Sequence, residues 1–401
     1  MKVGSVLGGL AVTVLVLSSC ATTVTGRIVA WGPPNNEHYQ EFPQQPIANA
    51  PPVFRFQNSS EAEERFASLF GPVSYTLAQE PITAQLETLL EETGTTGFIV
   101  IQDDTILYEK YFNGYARDSI NTSASVAKSI TSALVGVAFD EGYLEDIRDP
   151  ITRYLPEMDA EGYARITLWH LLTMSSGLEH TWVYMPWGDV VRSLYAPDVR
   201  KVALGSEIAE EPGLHFWYNN CHAQLLGIIL ERVTGRSVSE YLEEKLWRPL
   251  GMEFPASWSL DSEQNGFELM MYGFNARAID YAKFGRLYLN QGMWQGKRII
   301  SEEWIVRTTA PVEELEAVAG YYDLATEEPE ASYFHKDTGY YSHKWWGYRT
   351  GADDYDFFAR GILGQYIYVA PRKKVIIVRT SERIGDIDWW PAVFRDLVNR
   401  L

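Results

Sequence analysis

Ser125 and Lys128 lie three residues apart in the segment Ser125-Val126-Ala127-Lys128, and no other serine in the chain precedes a lysine at this spacing. On a helix, this spacing places both side chains on one face, about a turn apart. A lysine amine whose pKa is lowered by desolvation or nearby positive charge can take the proton of a serine hydroxyl and make it a nucleophile. The pair is therefore a candidate for nucleophilic catalysis, although a polar first helical turn would explain the same residues.

A second candidate is the segment Tyr218-Asn219-Asn220. A tyrosine close to a lysine can relay a proton, and an asparagine amide can hold a substrate carbonyl or the lysine itself. We therefore assign proton relay to Tyr218 and positioning to Asn220. Taken alone, a buried aromatic residue beside a turn amide is an equally good explanation.

The pattern of apolar residues predicts the elements that must position these side chains. Residues 121–123 supply candidate caps for a helix over 125–141. We predict further helices over 81–93, 222–233, 238–246, 277–290 and 389–401, and strands over 97–102, 105–112, 356–361, 364–370 and 375–380. Strands at both ends of a helical block indicate an α/β (α+β) fold, with one antiparallel sheet flanked by helices and an inserted, mainly helical lobe at about 140–275. The cleft between sheet and lobe is where chemistry is expected.

Several motifs in sequence order carry a family resemblance. They are Ser125-Val126-Ala127-Lys128, the segment 167–178, Glu211-Pro212-Gly213 leading into Tyr218-Asn219-Asn220, and the segment 280–289. Together they resemble the serine β-lactamase and penicillin-binding-protein family, and more narrowly its esterase and nylon-oligomer (6-aminohexanoate-dimer) hydrolase branch. The resemblance covers about 80–401. It implies the β-lactamase/transpeptidase fold, Ser125 as nucleophile, Lys128 and Tyr218 as proton carriers, and no cofactor.

The family's third motif is altered in this chain. Lys336-Asp337-Thr338-Gly339 resembles it only superficially, and the better match is the segment 359–365, which is similar to the 6-aminohexanoate-dimer hydrolase branch. That resemblance implies that Gly361 and Ile362 help to build the oxyanion hole, with the N–H of Ile362 joining that of Ser125. Strand alternation predicts that Ala359 points toward the cleft and Arg360 away from it. The cation that would bind a β-lactam or D-alanine carboxylate is then expected to be absent.

The N-terminus carries a targeting signal. A basic residue and an apolar run over 3–17 precede Leu17-Ser18-Ser19-Cys20, which resembles a bacterial lipobox. The resemblance implies a signal peptide at 1–19, lipid attachment at Cys20, and an outer-membrane anchor facing the periplasm. A signal cleaved elsewhere is the alternative. We read the Pro-rich segment 20–60 as an extended tether and 61–401 as the folded domain.

Composition excludes several classes of protein. The 401 residues include 34 Lys+Arg and 53 Asp+Glu, a net charge of −19, which argues against a nucleic-acid partner. With only Cys20 and Cys221, neither a disulfide framework nor a Cys-rich zinc site can form. We expect no metal site and read Cys221 as a small core residue. We read His170 and His215 as structural, and Trp182, Trp187, Trp345 and Trp346 as core residues or cleft walls.

The sequence therefore predicts a periplasmic lipoprotein that cleaves an amide or ester bond of a small molecule or short peptide through an acyl-serine. A β-lactamase or penicillin-binding D-Ala peptidase is the enzymatic alternative. A non-catalytic envelope binding or sensor lipoprotein is the alternative from a different class.

Overall fold

A computed structural model describes residues 22–78, 80–311, 339–351, 354–387 and 389–401. Cys20 and residues 336–338 of the superficial third motif lie outside these residues. The helices are α1 Val24–Trp31, α2 Ser60–Leu69, α3 Leu86–Glu92, α4 Val126–Asp140, α5 Leu168–Leu172, α6 Asp189–Tyr195, α7 Val199–Leu204, α8 Asn220–Thr234, α9 Val238–Leu242, α10 Ala278–Leu289, α11 Glu302–Thr309 and α12 Trp390–Arg400. No helix among the described residues is both long and apolar enough to cross a bilayer.

The strands form one large sheet and three smaller ones. Their bounds are β1 Gln44–Ile47, β2 Gln57–Asn58, β3 Pro72–Leu77, β4 Glu80–Gln85, β5 Thr95–Gln102, β6 Thr105–Tyr111, β7 Asn121–Thr122, β8 Ala256–Ser259, β9 Phe274–Ala276, β10 Met293–Trp294, β11 Lys297–Arg298, β12 Gly339–Ser342, β13 Trp345–Arg349, β14 Tyr355–Gly361, β15 Gln365–Ala370 and β16 Val375–Ser381. The eight-stranded sheet has the order β12-β13-β14-β15-β16-β5-β6-β2. Its strands pair antiparallel except for the short parallel pair β2–β6. Both ends of the chain therefore complete one sheet, which agrees with the predicted fold class.

The large sheet is covered on both faces because its apolar residues alternate between two cores. Ile99, Ile367 and Ile376 pack in one core with α4 and α10. Their strand neighbours, such as Phe98 and Ile377, pack in the other with α3 and α12. Strands buried on both faces are almost continuously apolar, as β5 and β16 are.

The segment 20–60 was predicted to be an extended tether, and from residue 22 onward that prediction is wrong. The segment contains α1, β1 and β2, and β1 pairs antiparallel with β8. Phe42, Ile47 and Phe56 are buried in the main core. The buried Arg27 guanidinium donates to the carbonyls of Ala196 and Asp261. The segment has no apolar periodicity of its own. It is held against the domain by isolated large apolar residues, each of which packs in the main core.

The predicted helix over 81–93 is also partly wrong. Its first residues form β4, which pairs with β3 along its whole length, and the helix α3 begins only at Leu86. Residues 121–122 form β7 rather than a helix cap, because they pair with β9. The remaining predicted helices and strands agree with the structure to within a few residues, except that 243–247 form a π-helical turn after α9.

Candidate active site

Ser125 stands at the N-terminus of α4, where the chain turns from β7 into a helix that is buried over nearly its whole length. Its hydroxyl does not cap the helix. Instead, Ser125 Oγ lies 2.8 Å from Lys128 Nζ, one turn into the helix. The structure therefore contains the predicted pair of side chains on one face of the helix.

Lys128 is almost fully buried, and its amine also donates to the carbonyl of Met271 at 2.9 Å. Met271 belongs to the loop before β9, so this bond fixes the lysine between α4 and the lobe. A neutral amine has two N–H groups and one lone pair. Because one N–H is directed to Met271, the lone pair can accept the Ser125 proton at the short Ser125–Lys128 contact.

Tyr218 lies beside the lysine. Lys128 Nζ is 5.0 Å from the centroid of the Tyr218 ring, and the ring is buried. Trp346 stacks on Tyr218 at 5.8 Å and Trp182 lies at 6.2 Å. These aromatic contacts hold the tyrosine ring in the cavity that Ser125 also lines.

The cavity has a volume of about 340 Å³ and is lined mainly by aromatic and aliphatic side chains. Its aromatic walls are Trp182, Tyr184, Tyr195, Tyr218, Tyr272 and Trp346. Pro34, from the N-terminal segment, and Ile384, from the loop before α12, also line it. Of the four tryptophans considered from sequence, Trp182 and Trp346 are cavity walls, Trp345 is fully buried and Trp187 is exposed.

Asn219 and Asn220 have different surroundings. Asn219 caps α8, accepting from the N–H of Cys221 at 2.8 Å and donating to the carbonyl of Leu178. Asn220 lines the cavity, and its Nδ2 donates to Ser193 Oγ at 3.2 Å. The predicted positioning role of Asn220 stays a prediction, since its amide is directed to Ser193 in this structure.

Gly361 and Ile362 lie at the end of β14, against the start of α4. A Cβ added to Gly361 would lie 2.6 Å from the Ser123 carbonyl oxygen and 3.0 Å from the Ser125 nitrogen. Only glycine allows this close approach of the two backbones. The backbone around Ile362 is thereby brought next to Ser125, and both residues line the cavity.

Arg360 is placed differently from the prediction. It lines the cavity, with its guanidinium carbon 5.5 Å from the Trp346 ring, whereas Ala359 is fully buried in the main core. The side chains do alternate along β14, but the faces are reversed, because the core packs on the face that carries Ala359. A cation is therefore present in the cleft where none was expected.

A buried group of bases lies behind Lys128, and sequence reasoning missed it. Lys344 Nζ lies 3.1 Å from Met174 Sδ, and His222 Nδ1 lies 3.2 Å from the same sulfur. His222 Nε2 is 2.6 Å from Ser176 Oγ. Lys344 occupies the tight turn between β12 and β13 with a φ of 74°. A His-Lys pair at a hairpin turn normally indicates solvent exposure, so no sequence signal pointed to a buried lysine.

These bases are poorly suited to carry charge. Burial, followed by the charge of Lys128, holds the pKa of Lys344 well below its usual range. Burial, then the charge of Lys344, lowers the pKa of His222 well below its ordinary value. Burial lowers the pKa of His180 to about 4, with Lys128 adding to the shift and Asp189 opposing it. Burial therefore shifts the pKa of all three bases in the direction that favours their neutral forms.

The other titratable residues considered from sequence agree with their structural interpretation. His170 Nδ1 accepts the N–H of Thr167 and so helps to cap α5. His215 Nδ1 is 2.6 Å from Glu210 Oε2. Cys221 is buried, which raises the pKa of its thiol to about 11 and makes it a poor nucleophile. Among the described residues, no three His, Cys, Asp or Glu side chains are grouped to hold a metal ion.

Comparison with known proteins decides the family. A family model described as Beta-lactamase matches residues 83–386. The chain belongs to the β-lactamase family. It is therefore a serine hydrolase of the type that acts on amide or ester bonds. The match spans the site from Ser125 to Ile362 in sequence order.

Similar proteins lie on several branches of this family. The chain is 29% identical over 307 residues to a 6-aminohexanoate-dimer hydrolase of Paenarthrobacter ureafaciens, covering 74% of each chain. A Bacillus anthracis structure assigned as a 6-aminohexanoate-dimer hydrolase superposes with a TM-score of 0.70 at 23% identity over 90% of each chain. A penicillin-binding protein homologue of Pyrococcus abyssi gives a TM-score of 0.56 at 21% identity over 77% of this chain and 74% of its own. At these identities, the two structures show a shared fold.

Proposed function

We propose that this β-lactamase-family hydrolase cleaves its substrate through an acyl-serine intermediate on Ser125. The observation that carries the proposal is the 2.8 Å contact between Ser125 Oγ and Lys128 Nζ at an aromatic cavity. Ser125 Oγ attacks the carbonyl carbon while Lys128 takes the hydroxyl proton, and the carbonyl electron pair moves to oxygen. The N–H groups of Ser125 and Ile362 stabilise this oxyanion.

The remaining steps return the enzyme to its starting state. When the tetrahedral intermediate collapses, the bond to the leaving nitrogen or oxygen breaks, and Lys128 donates its proton to that atom through Tyr218. Water then attacks the acyl carbon, with Lys128 and Tyr218 accepting its proton. The acid is released and the Ser125 hydroxyl is restored. Short linear amides and short-chain esters are the first substrates to test, given the similarity to a 6-aminohexanoate-dimer hydrolase.

A fluorophosphonate probe tests the nucleophile. Wild-type protein should be labelled and should hydrolyse a chromogenic short-chain ester, whereas Ser125→Ala should lose both. Cys221→Ala is the control, because it removes the nearby thiol and should leave both signals intact. Undiminished labelling of Ser125→Ala would contradict the assignment.

A carboxylate-bearing substrate is the second candidate, and Arg360 at the cavity favours it. A guanidinium binds a carboxylate in a β-lactam or a D-Ala-terminated peptide well. Incubation with labelled penicillin separates the two candidates. A stable penicillin adduct or penicillin hydrolysis supports the carboxylate-bearing substrate, and ester turnover with neither supports the amidase or esterase.

We also propose that the mature protein is a lipoprotein of the cell envelope, acylated at Cys20 and facing the periplasm. The support is the segment Leu17-Ser18-Ser19-Cys20 after an apolar run. Metabolic labelling with an alkyne fatty acid, followed by membrane fractionation, tests it. Wild-type protein should carry the label in the outer-membrane fraction, and Cys20→Ser should not.

A further inference from the structure

Exposed apolar side chains are concentrated in the loops that contribute residues to the active-site cavity. Twelve large apolar side chains are exposed in the described part of the chain, and six of them lie here, each between 40% and 75% exposed. We call these six the apolar rim: Val183, Tyr184, Met185, Trp187, Ile362 and Ile384. Three of the six, Tyr184, Ile362 and Ile384, also line the cavity. The other three lie on the same loop as Tyr184, just before α6.

The composition of this loop is unusual for a solvent-exposed segment. Residues 181–188 read Thr-Trp-Val-Tyr-Met-Pro-Trp-Gly and include no charged residue, in a chain with 87 charged residues (34 + 53). Exposed patches of this kind mark contacts with a membrane or another protein. Tryptophan and tyrosine beside aliphatic residues are the side chains that favour the boundary between water and lipid.

The first described helix, α1, packs beside the cavity. The helix α1 packs against α6, whose residues Val190, Val191, Leu194 and Tyr195 line the cavity, and Tyr195 donates to the Gly32 carbonyl at 2.6 Å. Eight helical residues span about 12 Å, and the three residues from Trp31 to the cavity-lining Pro34 reach at most about 11 Å. Thr23, the N-cap of α1, is therefore within about 23 Å of the cavity.

The position of Cys20 makes a bilayer the partner that fits best. Cys20 precedes Thr23 by three residues, a covalent reach of about 11 Å. A lipid at Cys20 would then be held within about 34 Å of the cavity, which is less than the diameter of about 50 Å expected for a domain of this size. A chain with a net charge of −19 is repelled by anionic lipid headgroups, so contact with a membrane must come from apolar side chains.

We propose that the apolar rim docks on the lipid bilayer to which Cys20 is anchored, so that the cavity opens toward the membrane surface. This inference rests on the proposed lipid attachment. It extends the proposed function by assigning a substrate class: amides or esters with an apolar chain, which enter the cavity from the membrane surface. The cavity-lining rim residues Tyr184, Ile362 and Ile384 take up the apolar chain as the carbonyl reaches Ser125.

Fluorescence quenching by lipid tests the docking without using catalysis. Trp187→Cys is labelled with bimane in the full-length acylated protein, which is then reconstituted in phosphatidylcholine vesicles. The control is Val306→Cys, an exposed apolar position on α11, outside the rim. The other cysteines do not interfere, because Cys221 is buried and Cys20 is acylated. Addition of 5-doxyl phosphatidylcholine should quench the label at 187 at least threefold more than the label at 306.

Three results would overturn the proposal, and they can be told apart. Equal quenching at 187 and 306 in protein that floats with the vesicles would refute the docking while leaving the anchor intact. Protein that does not float would refute both. A change in the bimane signal at 187 that depends on protein concentration without vesicles would assign the rim to a second copy of the chain, and would also contradict membrane docking.

Kinetics test the substrate class. Met185→Ser combined with Trp187→Ser changes rim residues that do not line the cavity. On a water-soluble ester, kcat/KM should stay within twofold of wild type, whereas on an ester dissolved in vesicles it should fall at least fivefold. An equal loss on both esters, or no loss on either, would contradict the role of the rim. If the wild-type protein turns over neither ester, the proposed hydrolase activity itself is refuted.

Discussion

Replacing Gly361 with alanine should disturb the oxyanion site without removing any functional side chain. The new Cβ would meet the Ser123 carbonyl oxygen at 2.6 Å and the Ser125 nitrogen at 3.0 Å. Since ordinary contacts of a Cβ begin near 3.4 Å, the end of β14 must move away from α4 by about half an ångström or more. That movement carries the N–H of Ile362 away from the position of the oxyanion.

The expected loss follows from the value of one oxyanion donor. Removing such a donor lowers kcat by about 10²–10³, or about 2.7–4 kcal/mol of transition-state stabilisation. We therefore expect Gly361→Ala to lose about two orders of magnitude in kcat on a chromogenic ester, with a smaller change in KM. The near-ultraviolet circular dichroism at the assay temperature should remain native.

The matched control is Gly71→Ala. Nothing lies within 4 Å of a Cβ at Gly71, and its φ is not in the left-handed region. This variant should keep wild-type kcat. If Gly361→Ala remains folded and its kcat is within twofold of wild type, the assignment of this backbone to the oxyanion site is refuted.

Three further predictions address other parts of the structure. Lys344→Met should flatten the pH dependence of stability. Between the lowered pKa of Lys344 in the folded protein and its pKa of about 10.4 in the unfolded chain, the unfolded chain binds a proton that the folded chain lacks. In that range, this group makes the free energy of unfolding of the wild type rise by about 1.4 kcal/mol per pH unit. Urea unfolding at pH 7, 8 and 9 measures this, and parallel plots of unfolding free energy against pH for the two proteins would contradict the lowered pKa of the buried Lys344 amine. A chain that begins at residue 60 loses buried Phe42, Ile47 and Phe56, worth about 2 kcal/mol each; it should unfold or precipitate, whereas a chain from residue 22 should give a cooperative thermal transition. Equal melting temperatures for these two chains would refute the structural role of the N-terminal segment. Arg360→Met should raise KM for a carboxylate-bearing ester about tenfold or more and leave a neutral ester within twofold, because a charged hydrogen bond contributes about 1.5–3 kcal/mol; equal effects on both esters would remove Arg360 from carboxylate binding.

The parts of this protein that sequence predicted correctly depend on local pattern. The apolar period of α4 and α10, the apolar strand runs near the C-terminus and the Ser-x-x-Lys spacing each lie within a short stretch of chain. The family resemblance then indicated which distant motifs come together at one site. The pairing of Ser125 with Lys128 followed from helix geometry alone.

The parts that sequence mispredicted depend on tertiary contacts. Phe42 and Ile47 stand alone among prolines and polar residues, so only their partners in the domain show that the segment is folded. Arg360 and Ala359 alternate as expected, but which face of β14 meets the core is decided by the packing of α4. From its sequence position, Lys344 is expected to be an exposed turn residue. It is buried because the β12–β13 turn contacts Met174 and α4.

Trapping the covalent intermediate tests the central proposal most directly. Rapid acid quenching of wild-type protein during turnover of a short-chain ester, followed by proteolysis and mass spectrometry, should find the acyl group on the peptide that contains Ser125. The adduct should be absent from Ser125→Ala, which should also show no turnover. An acyl group on another residue, or ester turnover by Ser125→Ala at the wild-type rate, would contradict the mechanism.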